Sequence, residues 1–148
     1  MNILWIKDGK LGHEKQVKVL LDELSKTTDI KVYEEEYIIG SFQRINDILY
    51  YASRSNELIH HVKYHKKNIH LIIGAGSNTH AKVLQIKRGL KHDFHEEVLA
   101  VSLLVPSFFK QHFDLICAPK HDRHKLSGHE AIYFEGSLAK VSIDAVDE

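Results

Sequence analysis

Residues 2–21, NILWIKDGKLGHEKQVKVLL, change from a strand pattern to a helix pattern within a single turn. Ile3 to Ile6 form an uninterrupted apolar run, which indicates a strand covered on both faces, as in parallel sheets. From His13 onward, apolar residues recur at helical spacing among charged ones. The apolar positions are Val17, Leu20, Leu21 and Leu24. The stretch therefore predicts a buried strand, a glycine-containing turn and an amphipathic helix, which is the repeating unit of α/β proteins.

The rest of the chain continues this alternation. Further strands are predicted by apolar runs, most of which end in glycine or proline: IKVYEEEY (30–37), NIHLIIGAG (68–76), EEVLAVSLLVP (96–106), FDLICAP (113–119) and AIYFEG (131–136). Predicted helices lie between them: two within 41–66, one from 77 or 78 to about 88 with Gly89 as its stop, and a short one over 106–112. This order requires right-handed crossovers. It predicts an α/β, Rossmann-like fold, a mostly parallel sheet with helices on both faces, in one domain of residues 1–148.

The composition limits the class of partner. The 148-residue chain has 20 Lys and Arg and 20 Asp and Glu, so its formal net charge is zero. No overall field would attract nucleic acid or a membrane surface. The longest mostly apolar stretch, VLAVSLLVPSFF, has about 12 residues, whereas a membrane-spanning helix needs about 20. We therefore expect a cytoplasmic protein with no transmembrane segment, and we expect its one cysteine, Cys117, to be a small buried residue.

The turn after the first strand, Asp8 to His13, is the first candidate binding loop. In parallel sheets, functional groups gather at the carboxyl ends of the strands. Gly9 and Gly12 let backbone amides approach a ligand, and the following helix start favours an anion near Lys10. The spacing fits neither GxGxxG nor GxxxxGK[ST], so it does not predict NAD or ATP binding. We expect no cofactor. The alternative is a tight strand-to-helix turn that binds nothing.

The turn after NIHLIIGAG is the second candidate. Two glycines bracket it, and a helix start follows that could hold an anion; its residues are Gly74, Gly76, Ser77, Asn78 and Thr79. The alternative is that the glycines are fitted to a close turn without a ligand.

A third polar loop, PKHDRH (119–124), follows the strand FDLICAP. His121 and Asp122 are adjacent and could bind substrate or transfer protons, or could simply pack as polar loop residues. Together with His124 they could supply three metal ligands, but the spacing strains such a site, and we predict no metal. The remaining histidine cluster, His60, His61, His65 and His70, is expected to form a solvated face.

Four segments, taken in order, resemble the family named for the plant elongated-mitochondria fission factor. The segments are LWIKDGKLGHEKQVKVLLDEL (4–24), LIIGAGSNTH (71–80), DLICAPKHDRH (114–124) and AIYFEGSLAKV (131–141). They are similar to that family's DGxPGHxxQ opening, its glycine turn followed by threonine, its PxHD segment and its closing glycine segment. Leu11 stands where the family usually has proline, and Glu135 and Ser137 also depart from its pattern.

The resemblance implies a function. Members of that family are about twice as long and resemble two-domain GT-B glycosyltransferases, of which this chain would be the N-terminal half. By that analogy His13 is the candidate general base, and Asp8 is a second candidate catalytic residue. The turns at 9–12 and 74–79 would bind substrate, together with Gln16, His121, Asp122 and Gly136. The implied ligands are a nucleotide-sugar or a polyprenyl phosphate, and the implied partner is a chain that supplies the second domain, or a homodimer.

Two other functions stay open at this stage. The chain could be a non-catalytic binding or scaffolding module that keeps the Rossmann-like frame without the second half. A small hydrolase or epimerase is the weaker reading, because the sequence has no GxSxG elbow and no Tyr-xxx-Lys pair in a suitable place.

Overall fold

A computed structural model describes residues 1–53, 61–126 and 128–134 of the chain. Its strands are β1 (Asn2–Lys7), β2 (Lys31–Glu36), β3 (Leu71–Ala75), β4 (Leu99–Leu103), β5 (Leu115–Pro119) and β6 (Ala131–Phe134). Its helices are α1 (Leu11–Ser25), α2 (Ser41–Ala52), α3 (His61–Lys66) and α4 (Ser77–Phe94), with short 3-10 helices at Lys110–His112 and Lys120–Leu126.

The six strands form one sheet in the order β2-β1-β3-β4-β5-β6, and every neighbouring pair is parallel. This confirms the predicted α/β, Rossmann-like fold, with a sheet that is entirely rather than mostly parallel in the described residues. Because the strands all run in one direction, the turns that follow β1, β3 and β5 lie along one edge of the sheet.

Helices cover both faces of the sheet, as predicted. On one face Leu4, Ile72 and Ile116 pack with residues of α2, α3 and α4, among them Leu84 and Leu90. On the other face Ile3, Trp5 and Val101 pack with Val17 and Leu21 of α1. Full burial of a side chain of this size contributes roughly 1.5–3 kcal/mol. Cys117 is buried in the second cluster, as expected, and burial raises the pKa of its thiol to about 12.

The predicted end of α4 at Gly89 is wrong. The helix continues to Phe94 and ends at His95, which has a left-handed backbone. Gly89 lies inside the helix because the ring of His61 occupies the space beside it: an added Cβ would lie 1.9 Å from His61 Cε1. The predicted solvation of His61 is also wrong, since its buried Nδ1 lies 2.8 Å from Asp93 Oδ2. His60 lies outside the described residues.

One helix prediction needs a smaller correction, and another is confirmed. In the segment 106–112 only Lys110–His112 is helical, as one 3-10 turn. Within 41–66 two helices are present, and residues 54–60 lie outside the described part of the chain. Across the three described ranges, no helix has both the length and the apolar character needed to cross a membrane.

Candidate functional site

A buried carboxylate and an imidazole form the centre of the candidate site. Asp8 follows β1 directly, and its side chain is 1% exposed, whereas that of His13 is 24% exposed. Asp8 Oδ2 lies 2.6 Å from His13 Nδ1, and Asp8 Oδ1 accepts a hydrogen bond from the backbone N–H of Lys10 at 3.0 Å. An ionised Asp8 can only accept, so His13 Nδ1 carries the donated proton and Nε2 of the neutral ring keeps its lone pair.

The backbone of the first turn sets this geometry. Gly9 has a φ of +83°, which favours glycine, and Ile38 packs against it, with two of its carbons 3.0 Å from the position of an added Cβ. The Asp8 side chain closes the turn by accepting a hydrogen bond from the backbone N–H of Lys10, two residues further along the chain, as aspartates in turns commonly do. The turn therefore aims His13, in the first turn of α1, back at the end of β1.

Gly76 joins the second turn to the first. Its φ is +90°, and an added Cβ would lie 2.6 Å from His13 Nδ1 and 2.8 Å from Asp8 Oδ2. The backbone at 76 therefore packs directly on the Asp8–His13 pair, and only glycine fits there. The two sequence-predicted turns, 8–13 and 74–80, thus meet at one place on the carboxyl edge of the sheet.

Other residues of the second turn hold its shape. Thr79 is fully buried, and its hydroxyl donates to the carbonyl of Gly76 at 2.9 Å. The same side chain packs on Gly74, where an added Cβ would lie 2.5 Å from Thr79 Oγ1. Asn78 Nδ2 donates to the carbonyl of Ile39 at 3.5 Å, which links the start of α4 to the segment before α2. Thr79 and Gly74 thus shape the turn from inside.

Gln16, one helical turn after His13, has an unused acceptor. Its Oε1 is buried and has no hydrogen-bond partner among the described residues. Such atoms are uncommon in folded proteins, because an unpaired buried acceptor costs about 1–3 kcal/mol. A ligand group that donates a hydrogen bond would remove this cost.

Arg44 and His80 are two site residues that the sequence interpretation did not identify. Arg44 Nη1 donates to Ser77 Oγ at 3.2 Å, and its Nε is buried without a partner among the described residues. His80 is 5% exposed, its Nε2 lies 2.9 Å from Ser102 Oγ, and its Nδ1 has no partner in the described part of the chain. His80 follows directly on the quoted turn, so its position was a usable signal; nothing in the sequence around Arg44 gave one.

The pKa of His80 is lowered to about 4, mainly by burial and to a smaller extent by His13, while the Leu103 carbonyl and Asp8 act in the opposite direction. His80 is therefore neutral at physiological pH.

The third polar loop lies on the same edge but apart from the Asp8–His13 pair. β5 is three strand positions from β1, which corresponds to about 14 Å. The His121 side chain is 75% exposed, and its Nε2 lies 3.8 Å from Asp122 Oδ2, while Asp122 Oδ1 pairs with Lys125 at 3.0 Å. Gly136 lies outside the described residues. In the part of the chain that the structure describes, no three His, Cys, Asp or Glu side chains are grouped as metal ligands would be.

Comparison with known proteins assigns the family. Neither a curated protein nor a solved structure matches the chain. The family model described as Mitochondrial fission ELM1 matches residues 11–148, which include His13, Gln16 and the turns at 74–80 and 119–124. Asp8, Gly9 and Lys10 precede the matched range. Because the match covers nearly the whole chain, this protein belongs to the mitochondrial fission ELM1 family.

Proposed function

We propose that this chain is the acceptor-side half of a glycosyltransferase-like enzyme of the GT-B type. The observation that carries the proposal is the Asp8–His13 pair, held at the carboxyl edge of a parallel sheet against the backbone of Gly76. A carboxylate that orients an imidazole through Nδ1 leaves Nε2 free to accept a proton, which is the arrangement of a general base.

In the proposed reaction, His13 Nε2 takes the proton of an acceptor hydroxyl. The acceptor oxygen forms a bond to the anomeric carbon of the donor sugar while the bond from that carbon to the donor phosphate breaks. The leaving phosphate group takes the electron pair. Asp8 stabilises the imidazolium that forms, since its carboxylate is 2.6 Å from Nδ1. The start of α4 and the glycine turn before it would bind phosphate oxygens of a nucleotide-sugar or a polyprenyl phosphate.

The proposal includes a second half. Residues 1–148 would act as one domain, and a partner chain or a second copy would supply the facing surface. Large apolar side chains near the site support this part, because they are exposed beside the first turn. These are Leu11 at the start of α1 and Ile38, which packs against Gly9.

The test is sugar transfer by the chain together with its partner. Sugar nucleotides and polyprenyl phosphates are supplied to the wild type, to His13→Ala and to His92→Ala, with candidate second-domain chains added. General-base loss predicts a rate lower by about 10²–10⁴-fold for His13→Ala. His92→Ala is the matched control, because His92 is exposed near the far end of α4 and its rate should be unchanged.

The alternative function is a binding or scaffolding module without catalysis. It predicts that a triple variant, Asp8→Ala, His13→Ala and Asp122→Ala, supports cell function as well as the wild type does. A complete loss of function in that variant, with the fold intact, supports the enzyme.

A further inference from the structure

A small cavity lies beside the start of α4, between α2 and the loop that follows β4. Its volume is about 60 Å³. Sites for whole drug-sized ligands are roughly 300 Å³ or larger, so this cavity is the size of one small polar group. Its polar lining comes from Arg44, Ser77 and His80, and Phe108 stands at its apolar side.

One part of the lining is positively charged and unpaired. The Arg44 guanidinium bonds to Ser77 Oγ, its Nε is buried without a partner, and no carboxylate pairs with it among the described residues. The start of the 18-residue helix α4 adds partial positive charge at Ser77, and its first turn contains no acidic residue. Arg44 as a whole is partly buried. A partly desolvated cation without a counter-ion is unfavourable, and an anion bound here would offset that cost.

The other part of the lining is a hydrogen-bond acceptor. The Ser102 hydroxyl donates to the carbonyl of Leu104 at 2.6 Å, so it can only accept from His80 Nε2, which must carry the ring proton. His80 Nδ1 then holds a lone pair with no donor facing it in the described residues. It needs a hydroxyl or N–H from a ligand.

We propose that Arg44 and Ser77 bind the phosphoryl group of a phosphate monoester, and that His80 Nδ1 accepts a hydrogen bond from a hydroxyl next to that phosphate. The ligand class is a sugar or polyol phosphate. Phosphate fits the guanidinium because Arg forms paired, charge-assisted hydrogen bonds with its oxygens. This inference deepens the proposed function, on which it rests for the sugar part of the ligand.

Binding by isothermal titration calorimetry at pH 8, where both phosphates are dianionic, tests the proposal. The two probes are glucose 1-phosphate, which has an adjacent hydroxyl, and methyl phosphate, which has none. Arg44→Gln should weaken both probes about tenfold or more. His80→Gln keeps an N–H for Ser102 but lacks the δ nitrogen, so it should weaken only glucose 1-phosphate, by several-fold.

Lys82→Gln is the matched control for loss of one positive charge on α4, because Lys82 lies over the Tyr37 ring in a separate groove. It should change neither affinity by more than about twofold. Wild-type protein that binds neither probe at millimolar concentration would overturn the proposal, as would Arg44→Gln protein with wild-type affinity and an unchanged amide spectrum.

The outcome can be separated from that of the proposed function. Binding of glucose 1-phosphate is measured on the wild type, and sugar transfer is measured separately on the wild type and on His13→Ala. Wild-type binding of glucose 1-phosphate, together with sugar transfer that does not depend on His13, would refute the general base and support the phosphate site. Wild-type protein that does not bind glucose 1-phosphate but transfers sugar in a His13-dependent manner would refute the phosphate site and support the general base.

Discussion

Gly76→Ala is the substitution that tests the packing of the site most sharply. Position 76 has φ +90° and ψ 152°, a region that is essentially restricted to glycine, and residues forced into such regions cost about 1–3 kcal/mol. The added Cβ would also lie 2.6 Å from the His13 ring and 2.8 Å from Asp8 Oδ2. Overpacking of this kind costs about 1–3 kcal/mol more. We expect the free energy of unfolding to fall by about 2–6 kcal/mol.

Gly12→Ala is the matched control. Gly12 lies in the first turn of α1, and an added Cβ would meet no atom within 4 Å. Replacing a helical glycine by alanine should stabilise the protein by about 0.5–1 kcal/mol. Urea denaturation followed by circular dichroism measures both changes. A loss below about 1 kcal/mol for Gly76→Ala, or an equal loss for both variants, would refute the packing described here.

Two further predictions concern other buried histidines. Because the pKa of folded His80 is about 4 and the ordinary value is 6.5, the unfolded chain takes up this proton first as the pH falls. The stability that the neutral, buried His80 contributes is complete above about pH 6.5 and is lost as the pH falls towards 4. Between pH 7.5 and 4.5 the free energy of unfolding should therefore fall by about 2–3 kcal/mol more in the wild type than in His80→Gln. Equal falls, measured by urea denaturation at both pH values, would contradict this. Gly89→Ala should destabilise the protein by about 1–3 kcal/mol, because the added Cβ would displace the His61 ring. Gly40→Ala is the control and should cost less than about 1 kcal/mol, because an added Cβ there meets no atom within 4 Å. Similar thermal midpoints for the two variants would contradict this prediction and would show that His61 moves aside freely.

Local patterns predicted the frame of the fold well. The apolar run at 3–6 and the helical positions Val17 and Leu21 are buried as their patterns predicted, because each pattern depends only on the period of one element. The meeting of two turns followed from topology, since parallel strands place their carboxyl ends on one edge. These features need no knowledge of which distant side chains touch.

Features that depend on distant contacts could not be predicted. Gly89 looked like a helix stop, but its lack of a side chain makes room for a ring 28 residues earlier in the chain, that of His61. The two helices predicted within 41–66 are present, yet Phe42, Ile45 and Leu49 of α2 are exposed, because the spacing of apolar residues does not say which face of a helix a partner covers. The unpartnered atoms of Arg44 and His80 likewise appear only when three segments are packed together.

The central claim is that Asp8 holds His13 in the form of a general base. Long-range proton–nitrogen correlation NMR of the histidine side chains at pH 8 tests it most directly, because it shows which ring nitrogen of neutral His13 carries the proton. The 2.6 Å contact between Asp8 Oδ2 and His13 Nδ1 predicts a proton on Nδ1 and a free lone pair on Nε2. A neutral ring with its proton on Nε2 would contradict the account.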